Sequence, residues 1–153
     1  MVDAKNLAEL SDLAKQLNSQ TDSLNDAISA LNRRLTAMNI GIECYLDRPL
    51  ISSGMSKDGD TKYEEDTYLG YDKVGHEGAW ELAIKEERIE YQWDRDSGEE
   101  IPVTETWYTP LLRESRDVRL KAVEQFDELI GALTRQAKKK LAGIETAKKL
   151  ANI

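Results

Sequence analysis

The amino-acid sequence predicts an α+β domain with a long N-terminal helix, an antiparallel β-meander of four to five strands and a long C-terminal helix. Three observations predict this class. Apolar residues recur at helical spacing near both ends of the 153-residue chain, they alternate with polar residues in the middle, and the length suits one domain. The predicted single domain, 1–153, comprises a helix at 1–39, a sheet at 40–110 with a loop at 49–66, and a helix at 111–153.

The N-terminal helix has the clearest pattern, two interleaved series in which each member lies seven residues from the next. The series are Leu10, Leu17, Leu24, Leu31 and Met38, and Leu7, Ala14, Thr21, Ile28 and Leu35. This a/d heptad pattern is typical of a helix that packs along a seam. We predict that Asp3 caps the helix and that it ends near Asn39 and Gly41, because both residue types tolerate a positive φ.

The C-terminal segment shows a broader apolar stripe with steps of three and four residues. Its members are Val123, Phe126, Ile130, Leu133, Ala137, Leu141, Ile144 and Ala151, and it is widened by Leu120, Leu129 and Leu150. A stripe of this width predicts contact with more than one neighbouring helix. Ser115 or the pair Thr109 and Pro110 is predicted to begin the helix.

The two helices are expected to pack antiparallel, and two helices alone would leave their stripes partly uncovered. We therefore expect a homo-oligomer in which helices 5–38 and 115–151 of different subunits form a bundle of four helices, a coiled-coil-like assembly. Burial of the uncovered apolar surface, at about 25 cal/mol per Å², would drive this association.

The middle of the chain changes to a period of two, which predicts strands. The predicted strands cover 40–46, 68–74 and 80–85, followed by a hairpin formed by 89–93 and 101–107. The polar, glycine-containing stretch from 49 to 66 is predicted to be a mobile loop. We expect the resulting meander to have one apolar face and one acidic face.

The net charge of −8 is concentrated in the middle of the chain, because segment 40–110 carries −11 whereas 1–39 carries −1 and 111–153 carries +4. Repulsion by phosphate groups disfavours direct nucleic-acid binding through this acidic segment. No stretch approaches the roughly 20 apolar residues that span a bilayer, so no membrane partner is expected. A cytoplasmic protein of a bacterium or a phage fits this composition.

The chain lacks the common sequence motifs of nucleophilic, phosphate-binding and zinc-dependent enzymes. The single histidine, His76, is predicted to lie in a turn between two strands, and Cys44 on the apolar face of the first strand. The acidic runs 57–66 and 94–100 do not fit the spacing of a calcium loop. We therefore predict a protein that is not an enzyme and that uses no cofactor or metal; an enzyme that relies on carboxylates or Mg²⁺ is an alternative.

The predicted function is that of an interaction and assembly protein whose acidic, aromatic sheet binds a basic protein. One such partner is a nucleic-acid-binding protein, whose binding site the acidic sheet would occupy as a decoy. The candidate partner-binding residues are Tyr71, Trp80, Trp93, Trp107, Glu81, Glu86 and Glu90. The alternative is a site for a small anionic ligand or a nucleotide at Arg113, Arg116 and Arg119, which step by three along one helix. Pairing of these arginines with the acidic sheet is the competing interpretation.

Overall fold

Two long helices and a five-stranded antiparallel sheet form the fold, which a computed structural model describes for residues 1–151. The elements in chain order are α1 (Ala4–Ala37), β1 (Cys44–Tyr45), β2 (Ile51–Asp58), β3 (Thr61–Asp72), β4 (Glu81–Asp94), β5 (Glu99–Pro110), α2 (Arg116–Val123) and α3 (Phe126–Leu150). The predicted α+β class is confirmed. Residues 152 and 153 of the predicted C-terminal segment lie outside the described residues.

The first helix begins and ends where the sequence predicts. The side chain of Asp3 accepts a hydrogen bond from the backbone N–H of Lys5 at 3.0 Å, which caps the N-terminus of α1. Beyond Met38 the chain leaves the helix through Asn39 and Gly41, with φ values of 50° and 59°. The helix is continuous between these ends and includes the stretch 18–23, whose polar residues have low helix propensity.

The sheet is a meander in which consecutive hairpins join β2, β3, β4 and β5. The short β1 pairs with residues 70 and 71 of β3, on the edge that β2 occupies farther along the same strand. The connection between β3 and β4 contains a single helical turn, His76–Gly78, in which the side chain of His76 is exposed. His76 therefore lies in the predicted turn.

The prediction of a loop at 49–66 is wrong, because most of this stretch is paired as β2 and the first half of β3. The two strands are joined by Gly59 and Asp60, and Gly59 has the positive φ of 62° that this tight turn needs. A register shift between Ser52 and Met55 accommodates Gly54. Both strands are polar here, because neither of their faces is buried. Their sequences therefore lack the alternation of apolar and polar residues that identifies a half-buried strand.

Two other element boundaries also differ from the prediction. The predicted strands 80–85 and 89–93 are one uninterrupted strand of 14 residues, β4. The predicted strand 40–46 has the expected alternation of burial, but only Cys44 and Tyr45 are paired.

The C-terminal helix is divided near its start. The side chain of Ser115 accepts a hydrogen bond from the N–H of Val118 and so caps α2. Of the two predicted starting points, Ser115 is therefore the one that the structure uses. The helix α2 ends at Val123 with Glu124 as its C-cap, and α3 begins after the buried Gln125. The single predicted helix is thus two helices.

The hydrophobic core lies between one face of the sheet and the inner halves of the long helices. Its members from the sheet side are Ile42, Cys44, Leu46, Leu69, Tyr71, Leu82 and Ile84, and those from the helical side are Ile28, Leu35, Leu111, Ala122, Leu129 and Leu133. Full burial of a leucine or isoleucine contributes about 1.5–3 kcal/mol, so this cluster supplies the main stabilisation of the fold.

The outer halves of the long helices do not contribute to this core. All residues from 1 to 20 in and before α1, and all from 138 to 150 in α3, are exposed. Their apolar side chains include Leu7, Leu10, Leu13, Leu17, Leu141, Ile144 and Leu150. Within residues 1–151, no helix combines the length and the apolarity that crossing a membrane requires.

Candidate protein-binding site on the sheet

The sheet extends well beyond the part that the helices cover. We call this extension the sheet arm; it consists of residues 51–58, 61–67, 86–94 and 99–107. No residue of the arm is buried, whereas 69–71 and 82–84 of the same strands lie in the interior. The arm is therefore open to solvent on both faces. Its terminal hairpin, residues 86–107, contains eight acidic and two basic side chains, a net charge of −6.

The strand register assigns each side chain of the arm to one of two faces, because directly paired residues point to the same side. The helix-side face continues the face that bears the core, and the outer face is opposite. The helix-side face presents Tyr63, Glu65, Thr67, Glu86, Arg88, Glu90, Ile101, Val103, Glu105 and Trp107, and the outer face presents Lys62, Glu64, Asp66, Glu87, Ile89, Tyr91, Trp93, Glu100, Thr104 and Thr106. Acidic and apolar groups occur on both faces, so the prediction of one apolar and one acidic face is wrong for the arm.

The structure distributes the seven predicted partner-binding residues over three places. Glu86, Glu90 and Trp107 lie together on the helix-side face of the arm, and Trp107 is 46% exposed. Trp93 lies on the outer face and is 66% exposed. Glu81 is at the start of β4, on the same face as Trp93, and it lines a cavity together with Asn32 and Thr36 of α1.

The other two predicted residues belong to the base of the sheet. Tyr71 is 1% exposed, and this burial contradicts its predicted role as an accessible anchor. Trp80 stacks on Tyr71 with ring centres 5.5 Å apart, and its backbone carbonyl accepts a hydrogen bond from the hydroxyl of Thr36 in α1 at 3.3 Å. Both aromatic residues thus help to hold the sheet against α1.

Arg88 organises the helix-side face of the arm. Its guanidinium group forms ion pairs of 2.9 Å with Glu65 on the neighbouring strand and with Glu90 on its own strand. The same group lies over the ring of Tyr63, 3.9 Å from the ring centre. These contacts order four side chains across β3 and β4 without removing the negative charge, since two carboxylates face one cation. The sequence prediction missed both Arg88 and Tyr63. The alternation along an unbroken β4 would have placed Arg88 beside Glu90, whereas Tyr63 reaches Glu90 through the pairing of β3 with β4.

A cavity of about 400 Å³ lies near the base of the arm, and most of its lining residues belong to the helix-side face. Its lining includes Glu65, Asp66, Thr67, Glu86, Glu87, Arg88, Trp107 and Thr109. Glu86 and Trp107 are direct partners across the ladder, so the cavity combines a carboxylate with an indole ring. Such a combination suits a cationic side chain, which a carboxylate can pair with and an aromatic face can stack against.

Glu114, which follows the turn Leu111–Arg113, adds a second carboxyl group close to Glu86. Burial raises the pKa of Glu114 above its ordinary value of 4.5, and the negative charge of Glu86 and hydrogen bonding with it raise this pKa further. A cation placed next to these two groups would relieve their repulsion. Glu114 was also missed in the sequence analysis, since only the folded chain brings it next to β4.

The outer face is ordered at the base of the arm by a lysine among tyrosines. The amine of Lys85 lies 5.2 Å from the ring centre of Tyr45 and 4.7 Å from that of Tyr68, and it pairs with Glu87 at 3.4 Å. The hydroxyl of Tyr45 donates a hydrogen bond to Asp72 at 2.8 Å. Burial, with this bond to Asp72, raises the pKa of Tyr45 well above its ordinary range, so the phenol stays protonated. This cluster fixes β1 to the sheet and leaves the more distant Trp93 accessible.

Of the three arginines of the predicted anionic-ligand site, Arg113 lies in the turn Leu111–Arg113, and Arg116 and Arg119 lie in α2. Within residues 1–151, no ion pair involves Arg113, Arg116 or Arg119, so the competing prediction that they pair with the acidic sheet is wrong. Arg119 instead donates a hydrogen bond to the backbone carbonyl of Leu112 at 3.4 Å. None of the three lines the cavity beside Glu86 and Trp107.

The remaining candidate groups lie apart from the arm. Cys44 is buried as predicted, and desolvation by this burial raises the pKa of its thiol. Among residues 1–151, no three or more histidine, cysteine, aspartate or glutamate side chains are grouped so that they could hold a metal ion.

Comparisons of the chain with protein-family models, with curated proteins and with solved structures found no match.

Proposed function

We propose that this protein is a non-enzymatic interaction and assembly protein whose sheet arm binds a basic protein partner. The observation that supports the proposal is the arm itself: a paired, ordered sheet that is open on both faces, carries a net charge of −6 in residues 86–107 and exposes Trp93 and Trp107. A sheet that served only to support the core would not need strands that extend beyond it.

The composition of the arm supports binding to a basic surface in two ways. Its carboxylates create a negative potential that accelerates encounters with a basic partner, an effect that salt weakens. Tryptophan side chains are frequent energetic anchors of interfaces because they bury a large area with few rotatable bonds. Arg88 and its carboxylate neighbours hold the helix-side face in one arrangement, which lowers the entropy that binding would cost.

We further propose that the exposed halves of α1 and α3 assemble two or more copies of the chain. The heptad series of α1 runs from a buried half, which includes Ile28 and Leu35, into an exposed half with Leu10 and Leu17. Residues 4–20 of α1 extend about 25 Å and residues 138–150 of α3 about 20 Å, so the two exposed stripes have similar lengths. Residues 1–20 carry a net charge of −1 and residues 138–150 a net charge of +4, which favours pairing of α1 from one copy with α3 from another.

Partner binding can be tested with poly-lysine as a basic probe and the fluorescence of the exposed tryptophans as the signal. We expect binding that weakens strongly between low and physiological salt. The triple variant Glu86→Gln, Glu90→Gln and Glu105→Gln, which neutralises the helix-side face, should bind the probe several-fold more weakly. The matched control, Asp12→Asn, Glu124→Gln and Glu145→Gln, removes the same charge from exposed positions outside the sheet. Equal losses in both triple variants would show that net charge alone, and not the arm, binds the probe.

Assembly can be tested by light scattering coupled to size-exclusion chromatography. A dimer would have a mass of about 35 kDa, twice the chain mass of 17.3 kDa. A mass that remains at one chain at micromolar concentrations would contradict the assembly proposal but would not affect the proposed role of the arm.

A further inference from the structure

The last strand of the sheet, β5, has one free edge. The sheet order ends with β5, which pairs with β4 alone among residues 1–151. Its pairing with β4 is continuous over all 12 residues and contains no register shift, unlike that of β2 with β3. All residues from 99 to 108 are exposed. A long, regular edge of this kind can accept another strand, and proteins usually protect such edges with bulges, lysines or a covering element.

The prolines of β5 show which backbone groups face the open side. Pro102 and Pro110 are paired with Tyr91 and Ala83 of β4, and a proline has no N–H to donate to that neighbour. Both prolines must therefore occupy positions whose backbone groups point away from β4. Since these positions alternate along a strand, Thr104, Thr106 and Tyr108 also direct their N–H and C=O groups to the open edge. The segment 103–109 lies between the prolines, and each of these three residues offers both its N–H and its C=O group to an added strand.

The charge of β5 selects the kind of strand that could pair with this edge. The strand contains Glu99, Glu100 and Glu105 but no lysine or arginine. Two copies of β5 side by side would bring six carboxylates together without a single cation, which disfavours self-pairing through this edge. The neighbouring strand adds Glu86 and Glu90 on the helix-side face. A segment with basic side chains at alternate positions would complement this charge.

We propose that the free edge of β5 binds an extended basic segment of another protein as an additional strand along residues 103–109. This inference rests on the proposed binding of a basic partner by the sheet arm and defines the mode of that binding. Hydrogen bonds from Thr104, Thr106 and Tyr108 supply affinity that does not depend on sequence, and side chains at alternate positions supply specificity.

The cavity beside Trp107 gives one of these positions a defined role. A residue of the added strand opposite Trp107 would point to the helix-side face, as Trp107 does. An arginine or lysine at this position can cross the indole ring towards Glu86, the direct partner of Trp107 on β4. The exposed Val103 and Ile101 lie farther along the same row and offer apolar contacts to the stems of other long side chains.

The test uses the intact protein and a nine-residue peptide in which arginine and threonine alternate. We expect this peptide to bind and to slow hydrogen exchange at the amides of Thr104, Thr106 and Tyr108. A peptide with glutamate in place of each arginine should not bind. Binding of the glutamate peptide with equal affinity would overturn the assignment of a basic occupant.

A proline variant isolates the contribution of the backbone. Thr104→Pro combined with Thr106→Pro removes two donors from the open edge but none from the ladder with β4, so circular dichroism should remain unchanged. We expect the arginine peptide to bind this variant about tenfold more weakly or worse than the control variant Thr104→Ala with Thr106→Ala. If the proline variant does not fold, the exchange measurement on the unaltered protein decides whether the peptide pairs with the edge of β5.

The outcomes separate this inference from the proposed function. Peptide binding that protects none of the three amides, and that both double variants retain equally, would overturn strand addition and leave a basic partner bound to the faces of the arm. Absence of binding by the arginine peptide, together with absence of poly-lysine binding, would overturn both proposals.

Discussion

The Oδ1 atom of Asn32 accepts a hydrogen bond of 2.7 Å from the backbone N–H of Leu82. Asn32 is the one buried polar residue of α1, and Leu82 lies near the start of β4. The bond satisfies an N–H in the interior and fixes the position of α1 relative to the strand that leads into the sheet arm.

Replacement of Asn32 by alanine should therefore destabilise the fold. The substitution leaves the N–H of Leu82 buried without a partner, which costs about 1–3 kcal/mol. Chemical denaturation should show this loss, whereas Arg33→Ala, at the exposed neighbouring position, should change the free energy of unfolding by less than about 0.5 kcal/mol. Equal stability of Asn32→Ala and the native chain would mean that this bond does not secure the sheet.

The carboxyl pair at the base of the arm predicts a dependence of stability on pH. The pKa of Glu114 is raised by burial and by Glu86, so folding favours its protonated form. This contribution is fully present below the ordinary pKa of 4.5 and is lost as the pH rises through the higher pKa of the folded state. Glu114→Gln, which mimics the protonated form, should thus stabilise the protein at pH 7 by at most about 1 kcal/mol, since the site is partly open to solvent.

The difference between Glu114→Gln and the native chain should become smaller as the pH falls towards 4.5 and below. The control Glu124→Gln changes an exposed residue of the same segment and should show no comparable stabilisation. Thermal unfolding of the three proteins between pH 4 and pH 7 measures both effects. A stabilisation by Glu114→Gln that increases on acidification would contradict the assigned shift.

The sequence predicted the elements in which apolar residues recur with a regular period, and this includes the outer half of α1, whose stripe is exposed. In α1, Asp3 and the heptad series defined the helix, and in 40–46 the alternation placed Ile42, Cys44 and Leu46 inside. The arm has no buried face, so β2 resembles a loop in composition. The pair Gly59 and Asp60 was the available signal, since a glycine followed by aspartate is typical of a two-residue hairpin turn.

The candidate site was only partly predictable for the same reason. The prediction divided β4 into two strands, 80–85 and 89–93. It therefore did not recognise the alternation that places Glu86, Arg88 and Glu90 on one face. Tyr71 was assigned to the wrong environment for a different reason. Its aromatic side chain suits a binding surface and a core equally well, and only the packing of α1 on the sheet determines that it is buried. Glu114 reaches the site through a tertiary contact that no local pattern contains.

Two glycines provide a contrast in packing. A Cβ atom at Gly70 would overlap the ring of Tyr45 and the backbone carbonyl of Cys44, both of which belong to β1. Gly70→Ala should therefore separate β1 from β3 and destabilise the protein by about 1–3 kcal/mol or more. At Gly143, within α3, an added Cβ meets no atom within 4 Å.

The matched substitution Gly143→Ala should stabilise the protein by up to about 1 kcal/mol, because alanine favours the helix and nothing opposes the methyl group. Denaturant titration of both variants measures the two opposite signs. Destabilisation by Gly143→Ala of the same size as that by Gly70→Ala would indicate that another subunit packs closely on α3 at this position.

The exposed half of α1 allows assembly and folding to be separated. Leu10 and Leu17 are 62% and 44% exposed in the single chain, so replacing both with glutamate removes little from the core of the monomer. If these leucines form the interface between copies, the double variant should elute with the mass of one chain, 17.3 kDa, and retain its helical circular dichroism. The control Asp12→Asn with Asp22→Asn changes exposed positions outside the two heptad series and should leave the mass of the assembly unaltered. An oligomer of unchanged mass in the leucine variant would show that these residues are not the contact. Any association would then have to use other surfaces, such as the exposed stripe of α3.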